Sequence, residues 1–168
     1  MNAPYRRKDA WRRGVLALLG VLIGVACQPK DERPGLWLRG EPAEAEVSDW
    51  SFTDGIQEIF IETRPWYGIP HSTTIWCATL DGALYVGSYG DEKKAWEQNV
   101  ERDPEARASI GGRLYDVRLA PVTGDERVRA LDAVYESKYD MVEVFGEAVP
   151  AWRYYRVAPR GPQDRAAE

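Results

Sequence analysis

The stretch from His71 to Val122 restricts the fold of this chain more than any other part of the sequence. Asp81-Gly82 is a strong two-residue hairpin signal between two runs of strand-forming residues. Gly111-Gly112 predicts a second hairpin. Hairpins join neighbouring antiparallel strands, so the stretch predicts an antiparallel sheet. The four strands expected here are 71–80, 83–88, 106–110 and 113–121.

A short helix is predicted between the two hairpins. Asp91 is a candidate N-terminal cap, and Trp96 and Val100 share a face at a spacing of four residues. Pro104 lies just beyond the expected end of the helix. The hairpins are therefore separated by a helix with one apolar face.

A second helix is predicted after the hairpins. The sequence Thr123-Gly124-Asp125-Glu126 fits a capping box, and the helix that it opens runs to about Asp140. Its buried stripe is expected to be Val128, Leu131 and Tyr135. Further strands are expected at 56–64 and 151–157. This strand-rich order with two helices predicts the α+β class, or a barrel with helical inserts.

The N-terminus carries the pattern of an export signal. Residues 1–13 hold five Arg or Lys and one Asp, residues 14–26 are uncharged, and Cys27 follows. An apolar run of 13 residues is too short for a membrane-spanning helix, which needs about 20, so residues 1–26 predict a signal peptide. Gly24-Val25-Ala26-Cys27 resembles the lipobox of bacterial lipoproteins, with Gly24 where Leu is usual, which implies lipidation of Cys27. Arg12-Arg13 loosely resembles a twin-arginine signal, although an ordinary basic n-region is the favoured interpretation.

The rest of the chain predicts a tether (27–46), one domain (47–160) and a disordered tail (161–168). Within the tether, Leu36-Trp37-Leu38 is an apolar run that can dock on another surface. Beyond residue 26 the chain has 17 Lys and Arg against 26 Asp and Glu, a net charge of −9. Nucleic-acid binding needs a concentrated basic face, so this acidic balance excludes it.

His71 and Cys77 limit the chemistry that the domain can carry. His71 is the only histidine, and Cys77 has no cysteine partner if Cys27 is lipidated. These two residues are too few for a structural zinc site or a disulfide. The sequence also lacks the nucleophile-elbow pattern that would indicate a hydrolase. Cys77 is therefore expected to be a small buried apolar residue.

The order of elements resembles the split β-barrel superfamily that binds FMN or a deazaflavin coenzyme. This superfamily includes the pyridoxamine-phosphate oxidases and the deazaflavin-dependent nitroreductases. The most specific part of the resemblance is the motif Lys94-x-Trp96-x-x-Asn99-Val100-x-x-Asp103-Pro104, followed by Ile110-Gly111-Gly112-Arg113-x-Tyr115. The resemblance covers roughly 50–158 and implies an antiparallel split β-barrel with two covering helices. It also implies pairing of two copies as a homodimer.

The resemblance implies a coenzyme site at the start of the strand that begins with His71. Family members line the flavin phosphate and ring at this position, and a phosphate needs basic groups, hydroxyls and backbone amides around it. No catalytic residue is assigned, because a redox coenzyme supplies its own chemistry. The candidate coenzyme-binding residues are Arg64, His71, Ser72, Thr73, Thr74, Lys93, Lys94, Trp96 and Asn99.

Most of these residues also have a purely structural interpretation: His71 can cap the edge of its strand, and Ser72-Thr73-Thr74 is good strand-forming sequence. Trp96 can anchor the helix on the barrel, and Asn99 can tie a buried turn to the backbone. Lys93 and Lys94 can form a solvated face. The aromatic pair Trp66-Tyr67, in a loop flanked by prolines, can cover a coenzyme ring or simply the mouth of the barrel.

Three hypotheses of function follow. The first is a lipid-anchored protein of the bacterial cell envelope that binds a flavin or deazaflavin and transfers hydride to a small organic acceptor. The second is a non-catalytic module on the same barrel that binds a small ligand or a partner. The third is a structural envelope protein, in which exposed aromatic residues such as Trp37 or Trp152 form a protein contact.

Overall fold

Seven strands and three helices form the regular structure of the computed structural model, which describes residues 35–43 and 47–160. A 3-10 turn, Ser51–Thr53, precedes the longer strands. The strands are β1 (Glu41–Pro42), β2 (Glu58–Thr63), β3 (His71–Leu80), β4 (Ala83–Tyr89), β5 (Glu105–Ile110), β6 (Arg113–Pro121) and β7 (Trp152–Pro159). The helices are α1 (Ala95–Arg102), α2 (Asp125–Lys138) and α3 (Met141–Phe145).

The sheet closes on itself into a barrel. Its strand order is β1-β6-β5-β2-β3-β4-β7, and β6 also pairs with β7. All neighbours from β2 to β7 are antiparallel, so these six strands form a closed antiparallel barrel, which confirms the predicted fold class. Both predicted hairpins are confirmed, at the tight connections β3–β4 and β5–β6.

Successive side chains of β3 point into two different hydrophobic cores. Ile75 and Cys77 point into the barrel, where they pack with apolar residues from all six strands. Trp76 and Ala78 point outward and pack beneath α2, against residues such as Tyr135. The alternation follows because successive side chains of a strand face opposite sides, and the predicted burial of Cys77 is confirmed. The outer core is unusually aromatic, and it forms one wall of the candidate site.

Both helix starts differ from the prediction. The first helix begins at Ala95 rather than near Asp91, because Glu97 reaches back to accept a hydrogen bond from the backbone N–H of Lys94 at 2.8 Å. The second helix is preceded by Gly124 at φ +94° and has no side-chain cap, so the predicted capping box is wrong. A third helix was not predicted.

This third helix, α3, arises at Asp140, where the sequence predicted the end of a longer helix. The Asp140 carboxylate accepts a hydrogen bond from the backbone N–H of Glu143 at 2.8 Å and so caps a new turn. The turn brings Phe145 edge-on to Trp76 and Trp152. The outer core therefore continues past the end of α2.

Part of the predicted tether packs on the barrel. Leu38 is buried, and its backbone N–H donates to the carboxylate of Glu62. Arg107 holds the same carboxylate with two hydrogen bonds of 2.6 and 2.9 Å and also donates to the Leu38 carbonyl. Beyond this contact, β1 runs parallel to β6. Trp37 stays exposed beside the buried Leu38.

The export and anchoring predictions concern residues that the structure does not describe. The signal peptide, Cys27 and the tail 161–168 all lie outside the described residues and stay predictions. Within residues 35–43 and 47–160, no helix combines the length and the apolar character that a membrane crossing requires.

Gly87 of β4 provides a test of the packing in the outer core. A Cβ at this position would lie 2.8 Å from the Trp152 ring and 2.9 Å from the Tyr135 ring. Overpacking of this kind costs about 1–3 kcal/mol, so Gly87→Ala should lower the free energy of unfolding in urea by that amount. Gly55→Ala is the matched control, since a Cβ there meets nothing within 4 Å. Equal stability of the two variants would contradict the described packing.

Candidate functional site

A cavity of about 480 Å³ opens between the start of β3, the loop before it and the start of α1. We call it the hydroxyl groove, after the side chains of Thr63, Ser72 and Thr73 in its wall. Trp66, Tyr67 and His71 form one side, and the first turn of α1 forms the other. The groove is therefore built from two segments that are separated in sequence, residues 63–73 and 94–99.

The polar groups of the hydroxyl groove have few internal partners. The Ser72 hydroxyl is shielded from solvent and has no hydrogen-bond partner among the described residues, although buried hydroxyls are normally paired. Lys94 is exposed and forms no ion pair within the described part of the chain, and its ammonium lies 4.3 Å from the centre of the Tyr89 ring. The groove thus offers a hydroxyl and a cation to a ligand.

Other groove residues are already bonded to one another. The Tyr67 hydroxyl and His71 Nε2 lie 2.7 Å apart, and which of them donates depends on the histidine tautomer. Asn99 donates from Nδ2 to the Thr63 hydroxyl at 3.0 Å, which joins α1 to β2. Asn99 therefore has a structural role, although its partner is a side-chain hydroxyl and not the backbone as expected, and it also lines the groove.

Trp66 is the most exposed large aromatic residue of the site. It is 82% exposed and stands at right angles to the Tyr67 ring, with ring centres 5.5 Å apart. The loop turns through Gly68, whose N–H donates to the Pro65 carbonyl. An indole held this far into solvent beside a cavity is available to a flat ligand.

The structure brings six of the nine predicted coenzyme-binding residues to the hydroxyl groove: His71, Ser72, Thr73, Lys94, Trp96 and Asn99. Trp96 also packs in the barrel core, edge-on to Tyr155, so its two interpretations are compatible. The remaining three, Arg64, Thr74 and Lys93, lie elsewhere.

These three residues lie at three different places outside the hydroxyl groove. Arg64 lines a smaller, charged cavity of about 130 Å³ that it shares with Glu62 and Arg107. Lys93 forms a surface salt bridge with Glu101. Thr74 follows Thr73 on the strand and lines a neighbouring cavity instead. The cluster of positive groups is therefore smaller than the sequence predicted.

The neighbouring cavity, of about 240 Å³, has aromatic walls and is called here the aromatic slot. Trp76, Trp152, Phe145 and Tyr89 line it, with Val144 of α3 at its rim. Thr73, Lys94 and Trp96 line both the slot and the hydroxyl groove, so the two cavities share a wall.

A buried carboxylate holds the shared wall in position. Glu97 is fully buried and accepts hydrogen bonds from Ser88, Arg153 and Tyr155 as well as from the Lys94 backbone. Burial acts to raise the pKa of Glu97, but hydrogen bonds from Arg153, then Ser88, Lys94 and Tyr155, outweigh it and lower the pKa from 4.5 to about 2. Glu97 is therefore ionised at neutral pH.

Arg153 extends this network to the loop before α1. It donates to the carbonyl oxygens of Gly90 and Glu92 in addition to the Glu97 carboxylate. The loop and the helix start that carry Lys94 are thus tied to β7. Sequence reasoning missed both residues; the only signal was a carboxylate three residues after the helix cap, which is the capping-box position.

Comparison with protein families identifies the chain. Residues 53–151, which are 99 of its 168 residues, match the family described as "Uncharacterized protein conserved in bacteria (DUF2255)". The chain belongs to the DUF2255 family. The matched region runs from the 3-10 turn to the residue before β7, so the family pattern includes both cavities except Trp152. No protein of curated function matches the chain.

Solved structures confirm the split-barrel fold. A protein of unknown function from Agrobacterium tumefaciens is 19% identical over 64% of this chain and 54% of its own, with a TM-score of 0.51. This chain therefore spans about half the length of that protein. A conserved hypothetical protein from Mycobacterium tuberculosis is 17% identical over 72% and 86% of the two chains, with a TM-score of 0.51. A putative pyridoxamine 5′-phosphate oxidase from Listeria innocua is 13% identical over 66% and 90%, with a TM-score of 0.50.

The low pKa of Glu97 predicts how stability depends on pH. Because the folded pKa lies below the ordinary value, the ionised carboxylate stabilises the fold above pH 4.5, and this contribution is lost as the pH falls towards 2. A shift of this size corresponds to about 3 kcal/mol. The difference in free energy of unfolding between the wild type and Glu97→Gln should shrink by that amount between about pH 6 and pH 2.

The measurement is urea denaturation at a series of pH values. Glu101→Gln is the matched control, because it removes a carboxylate from the exposed face of the same helix. Parallel pH profiles for the wild type and Glu97→Gln would contradict the assignment of a stabilising, ionised Glu97.

Proposed function

We propose that this protein binds a flavin or deazaflavin coenzyme in the hydroxyl groove and transfers hydride to a small organic acceptor. The observation that supports it most is the convergence of the unpaired Ser72 hydroxyl, the Lys94 ammonium and the exposed Trp66 ring on one cavity. The split-barrel fold, which a putative pyridoxamine 5′-phosphate oxidase shares, supports the same class of ligand.

The groove residues fit the parts of such a coenzyme. A phosphate oxygen would accept from the Ser72 hydroxyl, and Lys94 would offset its charge. His71 and Thr73 line the same wall and offer further polar groups. The flat Trp66 ring suits stacking on a planar ring system, and a volume of about 480 Å³ lies within the range of small-molecule sites, about 300–1,000 Å³.

The protein would contribute binding, orientation and exclusion of water. Such a coenzyme, when bound in its reduced form, supplies the hydride itself. Trp96, buried in the barrel core, gives the groove a rigid apolar wall, and Glu97 fixes the helix turn that presents Lys94. The predicted lipid on Cys27 would hold this domain at the membrane surface of the bacterial envelope.

A non-catalytic ligand-binding module is the second candidate. One observation favours it: Arg64 and Lys93 lie outside the hydroxyl groove, which leaves Lys94 as its lysine and no arginine in its lining. A site with one lysine is suited to a ligand of low negative charge. Direct titration with coenzymes separates the two candidates.

Changes at Lys94 and Ser72 test coenzyme binding. Lys94→Met should weaken FMN or deazaflavin coenzyme binding about 10-fold through loss of one ion pair, about 1.4 kcal/mol, and Ser72→Ala should weaken it several-fold. Titration is followed by flavin or deazaflavin fluorescence with the full-length protein. Melting temperature should not change for Lys94→Met, because its side chain is solvent-exposed.

Two matched controls accompany these variants. Lys93→Met removes the neighbouring lysine, and Arg64→Ala removes a cation that the structure assigns to another cavity. Both should bind coenzyme as the wild type does. A wild-type protein that binds neither coenzyme would refute the redox proposal and leave the binding module.

A further inference from the structure

The aromatic slot has the shape of a site for a flat ligand. Trp76 and Trp152 are nearly parallel, with an interplanar angle of 15° and ring centres 5.8 Å apart, and Trp76 stacks on Tyr139 at 4° and 4.2 Å. Phe145 meets Trp152 edge-on at 84°. These rings pack on one another, and the cavity that they leave has a mainly aromatic lining, which suits another planar ring.

The polar groups of the slot define the charge of that ligand. Lys94 lies at the wall shared with the hydroxyl groove, with no ion pair among the described residues. The Trp152 indole N–H is shielded from solvent and likewise lacks an acceptor within the part of the chain described. Glu58 is the carboxylate of the lining, and it is exposed to solvent. The Lys94 cation in the lining calls for an acceptor-bearing, anionic substituent.

We infer that the aromatic slot binds a small planar aromatic anion, with one or two rings and its charged group directed towards Lys94. The volume of about 240 Å³ limits the ligand to this size. The inference rests on the proposed function only for the ligand's role, which is that of the hydride acceptor beside the coenzyme, with Lys94 between the two anionic groups. Binding itself needs no coenzyme and is tested in its absence.

The experiment titrates benzoate into the full-length, coenzyme-free protein and follows the tryptophan indole signals by NMR. Benzoate should bind one site in the wild type and perturb the indole signals of the slot. Lys94→Met should weaken its binding about 10-fold, whereas Lys93→Met, with the same loss of charge outside both cavities, should not change it. Benzylamine, which has the same ring and the opposite charge, should bind at least 10-fold more weakly than benzoate.

Val144 separates this proposal from the coenzyme proposal. Val144 is 54% exposed and lines the slot but not the hydroxyl groove, so Val144→Trp should fill the slot without disturbing the core. It should reduce benzoate binding at least 10-fold and leave FMN or deazaflavin binding unchanged. Absence of benzoate binding in the wild type, equal binding in Val144→Trp, or equally tight benzylamine binding would overturn the inference. Benzoate binding without any coenzyme binding would support the slot and refute the redox role.

Discussion

The buried Glu97 carboxylate holds together the parts of the structure on which the site depends. It lies on α1 and receives hydrogen bonds from β4 through Ser88 and from β7 through Arg153 and Tyr155. Strands β4 and β7 are adjacent in the barrel, so the Glu97 side chain joins helix α1 to both of them. The same carboxylate accepts from the backbone of Lys94, which lines both cavities.

A buried charge of this kind is stable only because each oxygen is satisfied. Removing a carboxylate from water costs several kcal/mol, and a single ion pair often does not recover it. Here three side chains and one backbone amide donate hydrogen bonds to the carboxylate. Arg153 also donates to the loop carbonyls of Gly90 and Glu92. The network therefore specifies the position of the loop as well as stabilising the helix. We regard this specificity as its main structural contribution.

Local signals in the sequence predicted the fold well, and long-range contacts explain what they missed. Both hairpins, the alternation of β3 and the exact bounds of β3 and β6 follow from turn residues and period-two patterns that act over a few positions. The start of α1 does not, because it depends on Glu97, whose burial is decided by Arg153 and Tyr155 more than 50 residues away. Asp91 is a good cap by residue type alone.

The predictions for the candidate site divide in the same way, between what local signals indicate and what long-range contacts decide. The six predicted residues that line the groove come from the start of one strand, from one helix and from the residue that caps it, where local periodicity indicates which way a side chain points. Arg64 is one residue past the end of β2 and turns to the other side, and Lys93 lies beside Glu101, so charge type alone gave the wrong expectation that they share the groove. The aromatic slot could not be predicted at all, because α3 and its Phe145 depend on the break at Asp140.

The docked N-terminal segment has a mechanical consequence. A pull applied at Gly35 would reach the barrel first at Leu38, whose backbone is held by hydrogen bonds from Arg107 and to Glu62. The load would then pass into neighbouring strands β2 and β5, and not directly along the polypeptide towards the groove. Residues 38–42 and the paired strands β2 and β5 should therefore turn as one body, and the barrel should not swivel about this segment.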